Sequence, residues 1–461
     1  MSNKGNLAKN TLILSMGTII NKGLMFIMVP IFTRWLSVED YGSYDLFATY
    51  VSLLIPIITL SSSNAIFRLS IDAKDDLKKS YIANGMYMII INIVLSISIL
   101  YFCNYLYNFD HFIFFVIMLV CEVMDNYFQG YLRALKKLSI YGICKSVTTI
   151  FSAIMICVFI RLFNLGLEGL ILGYSVGYLA SSILIIIVTK FWEYLYLVEF
   201  SFKRIKELIN YSWALIPNDI SWWIISVSDR QIINMFIGAA ANGLYAISYK
   251  IPNLCTSIFG VFNISWQESA TEVLNDNDRE VYYNSVLNNI VLLLLSLCIG
   301  IVACNFLFFD YIFDIRYSEA RLYSPILLAA VIFSTISLFY GGIQISLKMP
   351  KANGISTIIG AISNLLINIC LIKYIGLYAA ALSTLISNII VMYTRKRMLI
   401  NKYSFRINKK YYYLYVIYLY YSIIAMIRLP LMINILHLFI AGVLFIIANF
   451  KYIKKIKNKL I

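Results

Sequence analysis

Charge is scarce in this chain. Only 13% of its 461 residues are Asp, Glu, Lys or Arg, about half the share usual in soluble domains. No long polar stretch separates the apolar runs, so there is almost no soluble domain. Histidine occurs twice, at His111 and His437, far apart in the sequence. That excludes a His-based catalytic cluster. Eight cysteines stand singly inside apolar runs and none forms a C-x-x-C pair. They read as small buried hydrophobes, and no metal site is expected.

Apolar residues make up 61% of the chain, with a mean hydropathy of +0.79. Apolar runs of about 20 residues recur from end to end, each long enough to cross a ~30 Å hydrocarbon layer. The fold class read from this pattern is an all-α polytopic membrane protein with about fourteen transmembrane helices. They begin near Thr11, Tyr41, Tyr81, Phe112, Ser139, Leu167, Tyr211, Asn242, Tyr283, Leu322, Ala352, Leu377, Tyr411 and Leu431. The run from Thr11 to Phe32 is too long for a signal-peptide core and reads as a retained span. The thirteenth is short and tyrosine-rich, a pattern that also fits an interfacial helix.

The net charge of +15 raises the question of nucleic acid. Its distribution answers with membrane topology instead. With the N-terminus placed in the cytoplasm, inner segments hold 28 lysines and arginines and outer segments hold six. The bias puts both termini inside and leaves no role for nucleic acid. It also leaves four cations within spans: Lys22, Lys145, Arg230 and Lys250.

An internal repeat organises the runs. "LSVEDYGSYDL" from Leu36 aligns with "IGAAANGLYAI" from Ile237, so Gly42 meets Gly243 and Tyr44 meets Tyr245. "GYLRALKKLSIYGI" from Gly130 aligns with "GIQISLKMPKANGI" from Gly342, and "GLEGLIL" from Gly166 with "GLYAAAL" from Gly376. Each repeat has six spans and enters the membrane in the same direction. The expectation is two parallel six-helix lobes around a central cavity, over 1–198 and 199–403. An extra helix pair and basic tail over 404–461 follow.

The span charges point to that cavity. A charge at mid-bilayer costs roughly 2.5–3.5 kcal/mol on insertion scales, so it faces an aqueous interior or a partner. Asp219, Trp223, Ser226 and Arg230 recur at helical spacing, as do Thr11, Ser15, Thr18 and Lys22. Arg230 and Lys250 flank a small-residue turn almost evenly, which places two cations at one depth. A bound phosphate group would stabilise them; Asp229 is the alternative partner. Pro252 marks a kink beside Lys250. Glu122, Asp125 and Gln129 form a second stripe that either binds a coupling proton or sodium ion or pairs with Lys145. Trp222 and Trp223 are aromatic surfaces for sugars, or ordinary packing.

"SDRQIINMFIG", then "NGLYAISYKIP" and "SWQES", with the "YGSYDL" turn and the "LK-P-ANG" loop, resemble the bacterial polysaccharide-biosynthesis flippases. Those belong to the multidrug/oligosaccharidyl-lipid/polysaccharide exporter superfamily. The resemblance covers about 400 residues. It implies translocation of undecaprenyl-pyrophosphate-linked repeat units for O-antigen or capsule across the bacterial cytoplasmic membrane. It further implies cavity cations on the pyrophosphate, here Arg230 with Lys22 and Lys250. Asp219, Trp222, Trp223 and Ser226 would face the glycan.

The membrane potential, or a proton or sodium ion on Glu122 or Asp125, would supply the driving force; no cofactor is expected. Partners would be the lipid-linked oligosaccharide, membrane lipids and a polysaccharide polymerase, and the protein would be a monomer. Two alternatives stand. A multidrug exporter of the same superfamily would want an acidic cavity. A membrane polymerase or ligase, the enzyme alternative, would want a large outer loop carrying its chemistry, and no such loop is present.

Overall fold

The computed structural model describes residues 21–71, 73–135, 137–196 and 198–460, and among these it is helical without strands. Helix α1 runs through residues 21–35. The helices after it, in chain order, are α2 (Val38–Ile58), α3 (Ser62–Ile71), α4 (Asp75–Tyr107), α5 (Phe112–Ala134), α6 (Leu138–Arg161), α7 (Leu167–Thr189), α8 (Trp192–Tyr196) and α9 (Phe202–Ser212). Next come α10 (Ile216–Phe236), α11 (Ala239–Ser248), α12 (Lys250–Glu272), α13 (Arg279–Ala303), α14 (Ser324–Ser346), α15 (Pro350–Ile375), α16 (Leu377–Leu399), α17 (Tyr412–Met426) and α18 (Leu431–Leu460).

Ten of the described helices are long and apolar enough to cross a membrane. The other expected spans differ for physical reasons. The run from Thr11 lies largely outside the described residues. The run from Tyr211 is helix α10, whose polar residues lower its hydropathy. The run from Asn242 divides into α11 and α12 at Tyr249, just ahead of Pro252, whose ring nitrogen cannot donate back to the Ser248 carbonyl. Helix α17 has only 15 residues. Much of the apolar surface is covered by nothing in the protein: only 17% of the α4 window and 6% of the α18 window is buried. Lipid is the solvent such surfaces require.

The chain divides into two compact units, Met1–Trp223 and Ile224–Ile461. In the first, α7 packs tightly on α6 because Gly169, Gly173 and Gly177 form one bare stripe at i, i+4 and i+8. A Cβ on Gly173 would come within 2.7 Å of the Ile156 backbone nitrogen, and one on Gly177 within 2.6 Å of the Thr148 carbonyl oxygen. In lipid there is no hydrophobic drive between helices, so small residues that permit close backbone approach carry the association.

In the second unit, a core built on α12, α13 and α14 takes in Tyr418, Tyr421 and Ala441 from the last two helices. Polar links help to seat them. Asn449 donates to Ser296 Oγ at 2.9 Å, and the Tyr418 hydroxyl to the Pro325 carbonyl at 2.5 Å. The amides of Asn284 and Asn288 bind the extended 404–408 segment as a strand edge would.

Short helices outside the apolar runs were not legible as spans. Helix α9 buries Ile205 and Leu208 and exposes Lys203 and Lys206. Its Glu207 pairs with Arg204 at 2.9 Å and accepts from the Tyr81 hydroxyl at 2.7 Å. The Tyr81 hydroxyl, and then Arg204, hold the Glu207 carboxyl below its usual range. This tie of α9 to α4 is therefore complete above the ordinary carboxylate pKa. It is lost as pH falls through the lowered value.

Candidate functional site

The polar site of the first unit begins with a break. Pro56 sits inside α2, and Leu60 and Ser61 after it both take left-handed backbone (φ +49° and +51°). Non-glycine residues rarely adopt that region, and such outliers collect at functional sites. The break ends α2 and turns the Ser61 hydroxyl onto Asp219 of α10, where it donates at 2.8 Å. Trp223, four residues on, donates from Nε1 to the Thr49 carbonyl and Ser52 Oγ, both at 3.1 Å. The α10 side chains expected to point at a ligand are thus tied first to α2.

Around this break lies a cavity of about 560 Å³. Its walls carry Asp219 and Trp222 from α10, Asn126 and Arg133 from α5, Asn64 from α3 and Lys145 from α6. A second cavity of about 330 Å³ carries Lys22, Tyr174 and Tyr178. Tyr141 and Lys145 line both, so the two spaces adjoin at these side chains. The structure therefore brings Lys22 and Lys145 to one space, and Asp219 and Trp222 to the next. Thr11, Ser15 and Thr18, the expected continuation of the Lys22 stripe, lie outside the described residues.

Lys145 is paired with Asp125 at 3.1 Å. The Asp125 carboxylate is buried, and Gln129 Nε2 donates to its other oxygen at 3.2 Å. Glu122 lies on the same face, within reach of the Tyr178 hydroxyl and the field of Lys145. Of the two arrangements open for this stripe, the pairing with Lys145 is the one seen. The Lys145 side chain as a whole stays partly exposed all the same.

In the second unit Asp229 and Arg230 each meet further neighbours. Asp229 is 1% exposed and accepts from three neutral donors on three helices. These are the Tyr245 hydroxyl at 2.8 Å, Thr384 Oγ1 at 2.7 Å and Asn368 Nδ2 at 3.0 Å. Arg230 meets the backbone and two aromatic rings. Its Nη1 donates to the Ser226 carbonyl at 3.0 Å, and its guanidinium lies over the rings of Tyr249 (4.9 Å) and Tyr245 (5.7 Å). Gly238, at φ +122°, makes the turn that folds α11 back on α10. Arg230 thus reaches across the hairpin to the residue before Lys250. Lys250 is half-buried, and Ser226 is exposed. Asp219, Trp223, Ser226 and Arg230 all lie on the continuous helix α10, with Asp219 and Trp223 bonded to the α2 region and Arg230 set over two tyrosines.

Three further groups escaped the sequence reading. Arg395 was assigned to the inner charge excess, yet it is 1% exposed. Its guanidinium donates to Ser356 Oγ, the Ser337 carbonyl and Thr357 Oγ1 at 2.9–3.1 Å. The run "TRKR" reads as a solvated face; the signal was the small and polar face Thr384–Asn388–Val391–Arg395 at helical spacing. Asn364 and Asn368 are an amide pair one turn apart on α15, both fully buried; among the described residues neither polar atom of Asn364 has a partner, nor has Asn368 Oδ1. Arg133 was likewise read as topology and stands on a cavity wall. Among the described residues no group of three or more Cys, His, Asp or Glu side chains is arranged to hold a metal ion.

Comparison with known proteins adds family and fold. Residues 7–267, just over half the chain, match the family described as "Polysaccharide biosynthesis protein". A curated relative, the probable low-salt glycan biosynthesis flippase Agl15 of Haloferax volcanii, is 24% identical over 191 residues. That alignment covers 41% of this chain and only 40% of the relative.

Among solved structures, the lipid II flippase MurJ in an inward closed conformation superposes with a TM-score of 0.70. The superposition covers 96% of this chain and 99% of that one at 15% identity. An inward-facing multidrug resistance MATE transporter of the MOP superfamily gives 0.67, over 85% and 99%, at 13% identity. Likeness at such identities is likeness of fold. Family rests on the sequence match, which runs through the first unit and across α10 and α11 into α12. By that match the chain belongs to the polysaccharide biosynthesis protein family.

Proposed function

We propose that this protein is a flippase moving undecaprenyl-pyrophosphate-linked oligosaccharide repeat units from the inner to the outer leaflet of the bacterial cytoplasmic membrane by alternating access. The observation that carries the proposal is the pair of adjoining polar cavities, walled by Lys22 and Lys145, inside an otherwise apolar chain. Family membership and a fold shared with a lipid II flippase support it. The physical need is plain. A pyrophosphate and its sugars cannot cross hydrocarbon unaided, and charge-assisted donors offset the loss of water around the phosphate oxygens.

In this reading Lys22, Arg230 and Lys250 hold the pyrophosphate, and Asp219, Trp222, Trp223 and Ser226 face the glycan. The architecture is fourteen spans in lobes 1–198 and 199–403 with the extra pair 404–461, and both termini are cytoplasmic. The protein works as a monomer and hands its product to a polysaccharide polymerase. The comparable likeness to a MATE transporter favours a multidrug exporter as the second reading. Cations on the cavity walls weigh against it, since cationic drugs need an acidic interior.

Coupling has two seats. A proton on Glu122 or Asp125 would release Lys145 from its partner. In the second unit the Asp229 carboxylate, the Thr384 hydroxyl bonded to it and the Asn368 side chain, whose Oδ1 has no partner among the described residues, would offer oxygen donors instead. Hard cations prefer such donors, and sodium is the ion they suit.

The test is flipping of lipid-linked glycan by purified protein in proteoliposomes. Loss of one charge-assisted contact, about 1.5–3 kcal/mol, slows Lys22→Ala, Arg230→Ala or Lys250→Ala by roughly ten- to hundredfold at equal protein. Wild-type rates in all three variants would remove these cations from the mechanism. Export of a cationic dye without glycan movement would favour the drug exporter.

A further inference from the structure

Among the described residues, Arg133 offers the one guanidinium on the walls of the larger cavity. Its charge lies 4.8 Å above the Phe67 ring, which fixes the head group against α3. Among the described residues no hydrogen bond or ion pair takes up its N–H donors. Lys145, the other cation on that wall, is already matched by Asp125. Asp219 adds a negative charge to the lining, where Ser61 is its hydrogen-bond donor among the described residues. The cavity thus offers one unmatched positive fork beside a carboxylate. That balance is wrong for a pyrophosphate with about two negative charges, which Asp219 would repel.

The rest of the lining is suited to sugars. Planar amides and carboxylates pair with adjacent hydroxyls, and here Asn64, Asn126 and Asp219 supply them in a lining that also holds Trp222. Gln129 is 5% exposed, borders the same space, and its Oε1 has no partner. The volume of about 560 Å³ is that of a pocket for a small ligand.

We infer that the cavity of the first unit selects the glycan and accepts a sugar bearing one carboxylate, a hexuronate-type residue, whose two oxygens meet the Arg133 fork. Fork-to-carboxylate pairing is bidentate and shape-specific, which a lysine cannot reproduce. Asp219 then orders the hydroxyls of the same or the neighbouring ring. The inference rests on the flippase reading and adds to it the chemical class of the cargo.

The experiment uses full-length protein in proteoliposomes and two probes. One is undecaprenyl-pyrophosphate bearing a disaccharide that ends in glucuronate; the other carries the same disaccharide ending in glucose. Transfer is followed by oxidation of the exposed sugar with membrane-impermeant periodate. The wild type is expected to favour the glucuronate probe about tenfold, and Arg133→Gln to bring the ratio close to one. Arg133→Lys, which keeps the charge and loses the fork, should fall between. A wild-type ratio near one overturns the inference while leaving the flippase reading intact. So does an Arg133→Gln variant that slows both probes equally, which would make Arg133 a pyrophosphate contact or a packing residue. If the wild type moves neither probe, the flippase reading fails and the inference falls with it.

Discussion

Asp229→Ala is expected to leave little folded protein: most of it should run as aggregate when detergent extracts are sized by chromatography. The carboxylate is the shared acceptor for α11, α15 and α16. Removing it strands the Tyr245 hydroxyl and Asn368 Nδ2 in a buried place and leaves Thr384 Oγ1 only the Ala380 carbonyl. Each buried donor without an acceptor costs about 1–3 kcal/mol, so the sum reaches a large part of the stability of an ordinary domain. Relief from burying one charge offsets only part of this. Asp229→Asn separates scaffold from ion. It keeps a carbonyl oxygen for two of the donors and should fold, but without the negative charge it should bind no sodium. Sodium in place of choline is then expected to raise the melting temperature of the wild type by a few degrees and that of Asp229→Asn not at all. Equal shifts in both would show that the ion sits elsewhere.

Gly177→Val and Gly173→Val carry the second large effect. At both positions the first added carbon meets backbone of α6, which cannot rotate away as a side chain tip can. Overpacking commonly costs about 1–3 kcal/mol, and a backbone obstacle puts these two at the upper end. Helices α6 and α7 must move apart, and the α6 residues Tyr141 and Lys145, which line both cavities, move with them. Both variants should therefore lose melting temperature in detergent and flipping activity together. Gly300→Ala in α13, where a new methyl would meet open space, serves as the control and should be neutral or mildly stabilising. Full stability in Gly177→Val would mean that α6 and α7 do not approach as closely as described.

Much of the fold was legible because hydropathy reports lipid directly. The helices starting at Phe112, Leu167, Leu377 and Leu431 begin where their apolar runs begin. Helix α10 was legible as a helix for its spacing, but its polar residues hide it from any hydropathy threshold. Surface helices such as α9 were not, since their mixed composition is that of a loop. The site was legible by residue type and less so by partner. Charges inside apolar runs marked Lys145, Asp125, Asp229 and Arg230, and the link of Lys145 to Asp125 was one of two arrangements their spacing allowed.

Spacing along one helix cannot report which way a long side chain turns at its end. Spacing thus placed Arg230 in a stripe without showing the two tyrosines under its guanidinium. Arg395 went unnoticed for the opposite reason: two neighbouring cations, Lys396 and Arg397, gave it the look of a solvated patch. Polar amides such as Asn364 and Asn368 carry no charge to draw attention, and only the fold shows that both are buried and that Asn368 bonds Asp229.

The reach of Asp229 also sets a timetable for making the protein. Two of its three donors arrive 139 and 155 residues later in the chain. At a synthesis rate of ~5–20 residues per second, α10 waits roughly 7–30 s for them. Throughout that interval an acidic side chain worth about 2.5–3.5 kcal/mol of insertion penalty has no finished pocket. Ribosome and insertion machinery must shelter a half-made lobe until α16 emerges, and a nascent chain cut short before Thr384 would present a ready target for membrane proteases.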